Sequence, residues 1–294
     1  MVLLATPPVE SRLGWLLGTQ NADGGWGYAA AKTSWLEPTV YGLRACEAWP
    51  SWAGVREGCV RAQRYIDGLQ RQDGSWRACE GVPEPHWSGA LWLGLASAAH
   101  QRPARWRAGM EWLVSQRGAD GGWAGRIGTW LDPQAVEQDA RWQGWPWLAG
   151  TSSWVEPTCH AILALSRVQS TRHGPKFTGR LDEGRRLLLD RRCRDGGWNY
   201  GNRRVRGHDL PGYSETTALA LLALQSCGAG SLEASLARAR RDWDNPALPR
   251  VGRLWTALAL RKAGVSVQLN EAPAIDQTIT VALELVAWSA GGFL

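Results

Sequence analysis

Apolar positions recur with a helical period along most of the chain, in two kinds of segment that alternate. Segments of the first kind carry Arg, Glu and Asp on one face, as around Ile66 and Leu188, the signature of a surface helix. Segments of the second kind are apolar nearly all round, as from Thr216 to Leu224, and belong in a core. The second kind begins near Pro38, Trp87, Pro157 and Thr216. Between the two kinds lies a turn that repeats: Asp23, Gly24, Gly25, Trp26; Asp73, Gly74, Ser75, Trp76; Asp120, Gly121, Gly122, Trp123; Asp195, Gly196, Gly197, Trp198. Gln20, Gln70 and Gln116 precede the first three, and Arg192 takes that place in the fourth. Glycine accepts the positive φ that stops a helix, and the Trp then packs back as an apolar anchor with one N–H to satisfy.

Polar outer helix, turn and buried inner helix, repeated, predict an all-α single α/α toroid over residues 1–294, of about eleven helices. A worn fifth pair runs from Leu232 to Trp243 and from Leu254 to Ala263. One more helix follows, from Ile275 to Trp288, with Gly291, Gly292 and Phe293 as another worn turn. By alternation this last helix is an outer one, so the chain ends at Leu294 where a sixth inner helix is due. That leaves an apolar gap, and a partner is expected there, a second copy or another subunit. The same segment also reads as the sixth inner helix with its outer mate lost.

Composition sharpens the picture in one respect. Twenty tryptophans stand beside two phenylalanines and five tyrosines, and many sit in the repeats. The charge balance of +6 is spread along the chain and gives no basic stretch interleaved with aromatics, so no nucleic-acid partner is expected. No secretory leader and no spanning apolar stretch are read, and the six cysteines lack metal-type spacing. These point to a cytoplasmic protein with free thiols, no metal and no cofactor, with peripheral membrane contact left open.

The Gln…Asp-Gly-Gly-Trp unit resembles the QW repeat of squalene–hopene and oxidosqualene cyclases, and more loosely that of protein prenyltransferase β subunits. The resemblance covers residues 10 to 265. It implies an isoprenoid-handling protein, with an isoprenoid or other apolar small molecule as ligand and a single-barrel cyclase as the leading activity. A non-catalytic toroid that binds lipid or protein is the alternative, and a glycan-active barrel the third.

Three inner helices open on an acid: Trp35, Leu36, Glu37, Pro38, Thr39; Trp154, Val155, Glu156, Pro157, Thr158; and Tyr213, Ser214, Glu215, Thr216, Thr217. In bacterial cyclases of the resembled family the matching helix opens on Asp-x-Asp-Asp-Thr-Ala, whose middle acid protonates the alkene. Glu215 falls on that acid, and Tyr213 and Thr216 replace its flanking aspartates. Glu215 is thus the candidate catalytic acid. Glu37 and Glu156 read either as ligand contacts or as helix-start residues that complement the dipole. Prenyltransferases place a zinc-binding Asp-x-Cys where Tyr213 and Glu215 stand, so that zinc site is absent. Cys159 and His160 resemble the Cys-His pair of lanthionine cyclases but have no evident third ligand.

From turn Trp to helix-opening acid is 11 residues in the first copy, 33 in the third and 17 in the fourth. The longer insertion holds Trp130, Trp142, Trp145 and Trp147, and the shorter one Arg203, Arg204, Arg206 and His208. Both should emerge on one rim, an apolar and a basic patch suited to an amphiphile with an anionic head. The arginines read as a diphosphate clamp or as a solvated loop. Trp35, Trp87, Trp154 and Trp255, at inner-helix starts, are the candidates to line a cavity.

Overall fold

The computed structural model describes residues 7–96, 103–119, 127, 131, 137–139, 141–169, 174–270 and 276–289. Eleven helices lie among them: α1 (Pro7–Gly18), α2 (Leu36–Glu47), α3 (Val55–Leu69), α4 (Ser88–Leu95), α5 (Pro103–Ser115), α6 (Val155–Ser166), α7 (Gly174–Asp190), α8 (Ser214–Ser226), α9 (Glu233–Asp244), α10 (Arg250–Lys262) and α11 (Thr278–Trp288). Two short antiparallel pairs join them: β1 (Trp145–Pro146) with β2 (Ser153–Trp154), and β3 (Arg204–Val205) with β4 (His208–Asp209). The sequence pattern explains the layers. In α3 the buried positions Val55, Gly58, Ala62, Tyr65, Ile66 and Leu69 form a single stripe. In α8, Thr216 through Leu224 are all buried, as a helix in the inner ring must be.

The inner helices pack in order α2, α4, α6, α8, α10, α11 and back to α2, so the ring closes. The last helix is therefore not an unpaired outer one. Thr280 through Ala287 are buried without a break, the inner-helix pattern, and α11 fills the place between α10 and α2. Its outer mate is α1, from the other end of the chain. Alternation misassigned it because the outer helix of the last pair comes first in sequence. With α11 seated, the gap that called for a partner is filled.

Closure has its own chemistry. Thr278 donates its N–H to Tyr28 O and its hydroxyl to Gly27 O, at 3.0 and 2.6 Å. Trp49 Nε1 donates to Leu285 O at 3.0 Å. Glu284, only 1% exposed, accepts from Arg12 Nε of α1 at 2.6 Å and from Arg250 Nε of α10 at 2.8 Å.

A Trp fixes the first, third and fourth units by two hydrogen bonds, whereas the indole N–H of Trp76 in the second has no partner among the described residues. Trp26 and Trp198 donate the indole N–H to Leu16 O and Leu188 O, ten residues earlier, at 2.7 and 2.6 Å. Their backbone N–H groups go to Thr39 Oγ1 and Thr217 Oγ1, both at 2.9 Å. In the third unit the residue that makes both bonds is Trp145, to Leu113 O at 2.7 Å and Thr158 Oγ1 at 3.0 Å. The long insertion therefore lies before the anchoring Trp, and Trp145 stands 11 residues before Glu156, as Trp26 does before Glu37. Spacing favoured Trp123, ten residues after Leu113; Trp123 and Trp130 lie outside the described residues. The glycine before each anchor has a reason. A Cβ at Gly25, Gly144 or Gly197 would strike Ser34, Thr158 or Thr217.

Neighbouring units are stapled in two ways. Gln20 Nε2 donates to Gly24 O and to Gly58 O of the next outer helix, at 2.8 and 2.9 Å, and Gln70 Nε2 to Gly74 O and Arg105 O, at 3.2 and 2.9 Å. In the later units the next outer helix reaches back. Arg180 donates to Gln116 O at 3.0 Å and lies over the Trp145 ring at 3.6 Å, while Arg238 bonds Asp195 and Gly212 O.

Two stability measurements follow. Trp145→Ala should cost about 3–5 kcal/mol, comparable to Trp26→Ala, by urea unfolding; a loss below about 1 kcal/mol would place the third anchor elsewhere. Glu284→Gln leaves two buried guanidiniums facing a neutral amide, and unfolding should report a loss of about 3–5 kcal/mol. A fully stable Gln variant would show that closure does not depend on this carboxylate.

Candidate functional site

Because the anchoring Trp binds the Thr two residues after each glutamate, the start of each inner helix is fixed at the same end of the barrel. Glu37, Glu156 and Glu215 consequently meet at one mouth. The charge on Glu156 is felt by Tyr41 of α2 and by Tyr200, and Glu156 itself is raised by both Glu37 and Glu215. Each glutamate keeps some surface open while protein surrounds it, as a side chain lining a concavity does.

The three acids differ. Burial, together with the charges of Glu37 and Glu215, lifts Glu156 to about 8, so it carries its proton at neutral pH. Burial also raises Glu37, opposed by a 2.5 Å hydrogen bond from the Tyr28 hydroxyl to its Oε2. Glu215 is raised by burial. The acid held most firmly protonated is therefore Glu156 rather than Glu215, the residue that motif alignment had favoured.

Aromatic rings make the wall. Trp35 lies 6.0 Å from Tyr28, and Tyr213 lies 5.4 Å from Tyr200, centroid to centroid. Tyr28, Tyr200 and Tyr213 are the exposed rings of the rim. Trp154 packs on Gly201, where a Cβ would approach its ring. Deeper, Tyr41 meets Trp255 edge-on at 6.2 Å, and Trp87 meets Trp147 at 4.7 Å and His160 at 5.5 Å. All four tryptophans proposed from their place at inner-helix starts thus stand among aromatic neighbours or walls of this end. Trp87 and Trp255 are buried, while Trp35 and Trp154 are partly open.

The arginines are placed differently. The short insertion is a β3–β4 hairpin whose two turn residues, Arg206 and Gly207, have φ of 48° and 78°, as a tight two-residue hairpin requires. Arg203 and Arg204 both pair with Glu137 of the long insertion at 3.2 Å, and Arg204 also lies 3.7 Å from Asp209. Glu137 N–H donates to Arg204 O, so the two insertions touch. Arg206 and His208 are exposed on the hairpin. Arg203 and Arg204 thus tie one insertion to the other, and Arg206 stands apart from them at the hairpin turn.

Tyr28, Tyr41, Tyr200 and His160 were not proposed as site residues from sequence. A signal for the rim was present. An aromatic follows three of the turn tryptophans by two positions: Tyr28 after Trp26, Trp147 after Trp145, Tyr200 after Trp198, while Trp76 is followed there by Ala78. The turn at Trp123 has Gly125 there. Among the described residues no group of three His, Cys, Asp or Glu is arranged to hold a metal ion, and no helix is long and apolar enough to cross a membrane.

No protein-family model matches the chain. In sequence it is similar to the squalene–hopene cyclase of Zymomonas mobilis, 28% identical over 174 residues, which is 52% of this chain and 25% of that enzyme. The matched stretch is thus a quarter of the curated relative's length. In fold it is similar to the type II terpene cyclase MstE from Scytonema, solved with geranylgeranyl dihydroxybenzoate, at 16% identity and a TM-score of 0.57 over 95% of this chain and 76% of that one. It is also similar to the GH76 α-mannanase of Bacteroides thetaiotaomicron, at 9% identity and a TM-score of 0.62 over 95% of this chain and 81% of that one. Over about half of its length the chain is thus similar to part of a squalene–hopene cyclase, and its fold is the α/α toroid seen in the solved terpene cyclase and GH76 structures.

The ionisation of the mouth has a measurable consequence. A carboxyl raised in the folded state favours folding fully below its unfolded pKa, near 4.5, and loses that contribution as pH rises through about 8. Thermal melts should therefore show Glu156→Gln more stable than the unaltered protein at pH 8.5, with the gap narrowing towards pH 5. Identical melting at the higher pH would mean that Glu156 ionises freely.

Proposed function

We propose that the mouth binds an apolar, isoprenoid-type ligand and that Glu156 is the acid that delivers a proton to it, in the manner of a single-barrel terpene cyclase. The observation that carries this reading is a carboxylic acid held protonated at neutral pH inside an aromatic wall. Protonating an alkene asks for a carboxylic acid that still carries its proton, and the cost of leaving a carboxylate beside Glu37 and Glu215 is offset by the positive charge that forms next to it on the ligand. It also asks for aromatic rings near the cation that results, and Trp87, Trp255 and Tyr41 supply buried rings at this end of the barrel. Glu37 and Glu215 supply the negative field that both raises Glu156 and favours a developing positive charge. The similarity to squalene–hopene cyclase supports the substrate class. An anionic head is not required, since Arg203 and Arg204 are engaged by Glu137.

A glycan-active reading draws on a different observation: the GH76 neighbours share this barrel, and more than one carboxylate stands at the mouth, as acid and base of a glycosidase do. Against it, the Gln…Gly-Gly-Trp turn is the cyclase-type repeat.

One panel separates the two. The protein is incubated with squalene, polyprenyl alcohols and diphosphates of 15 to 30 carbons (about C15–C30), and an α-1,6-mannan oligosaccharide, and products are read by mass spectrometry. Conversion of a polyprenyl substrate is expected, with turnover lowered at least ~100-fold in Glu156→Gln and binding nearly kept. Mannan cleavage with the polyprenyl compounds untouched would establish the glycan reading instead.

A further inference from the structure

Glu156 and His160 lie one helical turn apart on α6, so they share a face, with His160 deeper. On α2 the same spacing sets Tyr41 beneath Glu37. Tyr41 is close enough to respond to the charges of both Glu37 and Glu156. The second layer of the mouth is therefore a floor that includes Tyr41, Trp255, His160 and Trp87, all buried.

Among these His160 is anomalous. Its side chain is 0% exposed, and neither Nδ1 nor Nε2 has a hydrogen-bond partner. The Trp87 ring covers one face of the imidazole, inclined at 29°. A stacked ring cannot serve an N–H or a lone pair that lies in the imidazole plane, so the stacking leaves both nitrogens wanting. Burial holds the ring in its neutral form, with pKa lowered to about 3, so it offers one donor and one acceptor rather than two donors. A buried polar group without a partner is disfavoured, and one at the floor of a binding mouth marks where a ligand atom completes the set.

We infer that His160 is the recognition point for a neutral oxygen at the leading end of the ligand, so the chain that enters the mouth ends in a hydroxyl or carbonyl rather than in bare hydrocarbon. This rests on the isoprenoid reading of the mouth and narrows it. A hydroxyl donates and accepts at once and so matches a neutral imidazole at either nitrogen. A hydrocarbon end would bury both nitrogens unserved. An ammonium or a phosphate would find only half of what it needs. His160 is thus a positioning and specificity residue, one turn below the acid, that sets how far the chain descends past Glu156.

The test uses two probes of matched length, a C20 polyprenyl alcohol and the corresponding C20 polyprenyl hydrocarbon, titrated against tryptophan fluorescence of the full chain. The alcohol should bind roughly tenfold more tightly or better, since one satisfied buried hydrogen bond is worth about that factor. His160→Phe should erase the preference while leaving hydrocarbon affinity unchanged or improved, and His160→Asn, with a donor and an acceptor, should keep part of it. Equal affinity of the two probes in the unaltered protein, or a preference that survives in His160→Phe, would overturn the inference and leave the isoprenoid reading standing. Failure of both probes to bind would overturn the isoprenoid reading and this inference with it. If the Phe variant does not fold, the ring-nitrogen resonances of His160 in the unaltered protein decide: movement with the alcohol but not the hydrocarbon supports the assignment, and no movement with either overturns it.

Discussion

A single pair of hydrogen bonds, repeated, sets the geometry of this barrel. The backbone N–H of the turn Trp goes to the Thr hydroxyl on the next inner helix, and its indole N–H goes back to the outer helix just completed. One residue therefore holds the end of an outer helix and the start of an inner one at fixed separation. The glutamate two residues before that Thr inherits its position. Bringing three acids to one mouth requires no separate device. It is a by-product of how each unit is stapled.

A toroid built this way has a weakness at its seam, where the last helix must pair with the first. The chain resolves it with charge in an otherwise apolar place. Glu284 sits between Arg12 and Arg250, and so links α11 to its outer mate on one side and to its inner neighbour on the other. Buried ion pairs are weak contributors to net stability but strong specifiers of arrangement, because a wrong pairing strands a charge. At the seam, where the sequence repeat cannot dictate register, such specificity is what is needed. Elsewhere the staples are Gln reaching forward in the early units and Arg reaching back in the later ones, Arg180 buried and Arg238 partly exposed.

Alternation of polar and apolar helices made the fold legible from sequence, down to the limits of the worn fifth pair. Its two failures share a cause. Spacing along the chain selected Trp123 as the third anchor, and alternation selected α11 as an outer helix. In each case the relevant partner is distant in sequence: Trp145 reaches Leu113 across a long insertion, and α11 finds α1 at the opposite terminus. Local periodicity carries no information about either. The three helix-opening acids were legible as positions, but their relative ionisation was not. Glu37, Glu156 and Glu215 were all visible, yet motif alignment favoured Glu215. The balance of burial and mutual repulsion that singles out Glu156 exists only once the ring has closed. His160 was weighed as a zinc ligand and otherwise as a core histidine with its needs met, and only the packed floor shows that they are not.

The mouth also shows why one fold can serve different chemistries. Three carboxylates in an apolar concavity cannot all ionise, because each charge raises the cost of the next. In the ligand-free site, burial and the neighbouring carboxylates keep Glu156 protonated at neutral pH. On the proposed reading, the floor then decides what the proton acts on. Bare aromatic faces accept a hydrocarbon chain, and a polar ring such as His160 asks for an oxygen at a stated depth. Selection acting on the floor residues could redirect the substrate while leaving the protonated acid, fixed by the Trp–Thr staples, where it is.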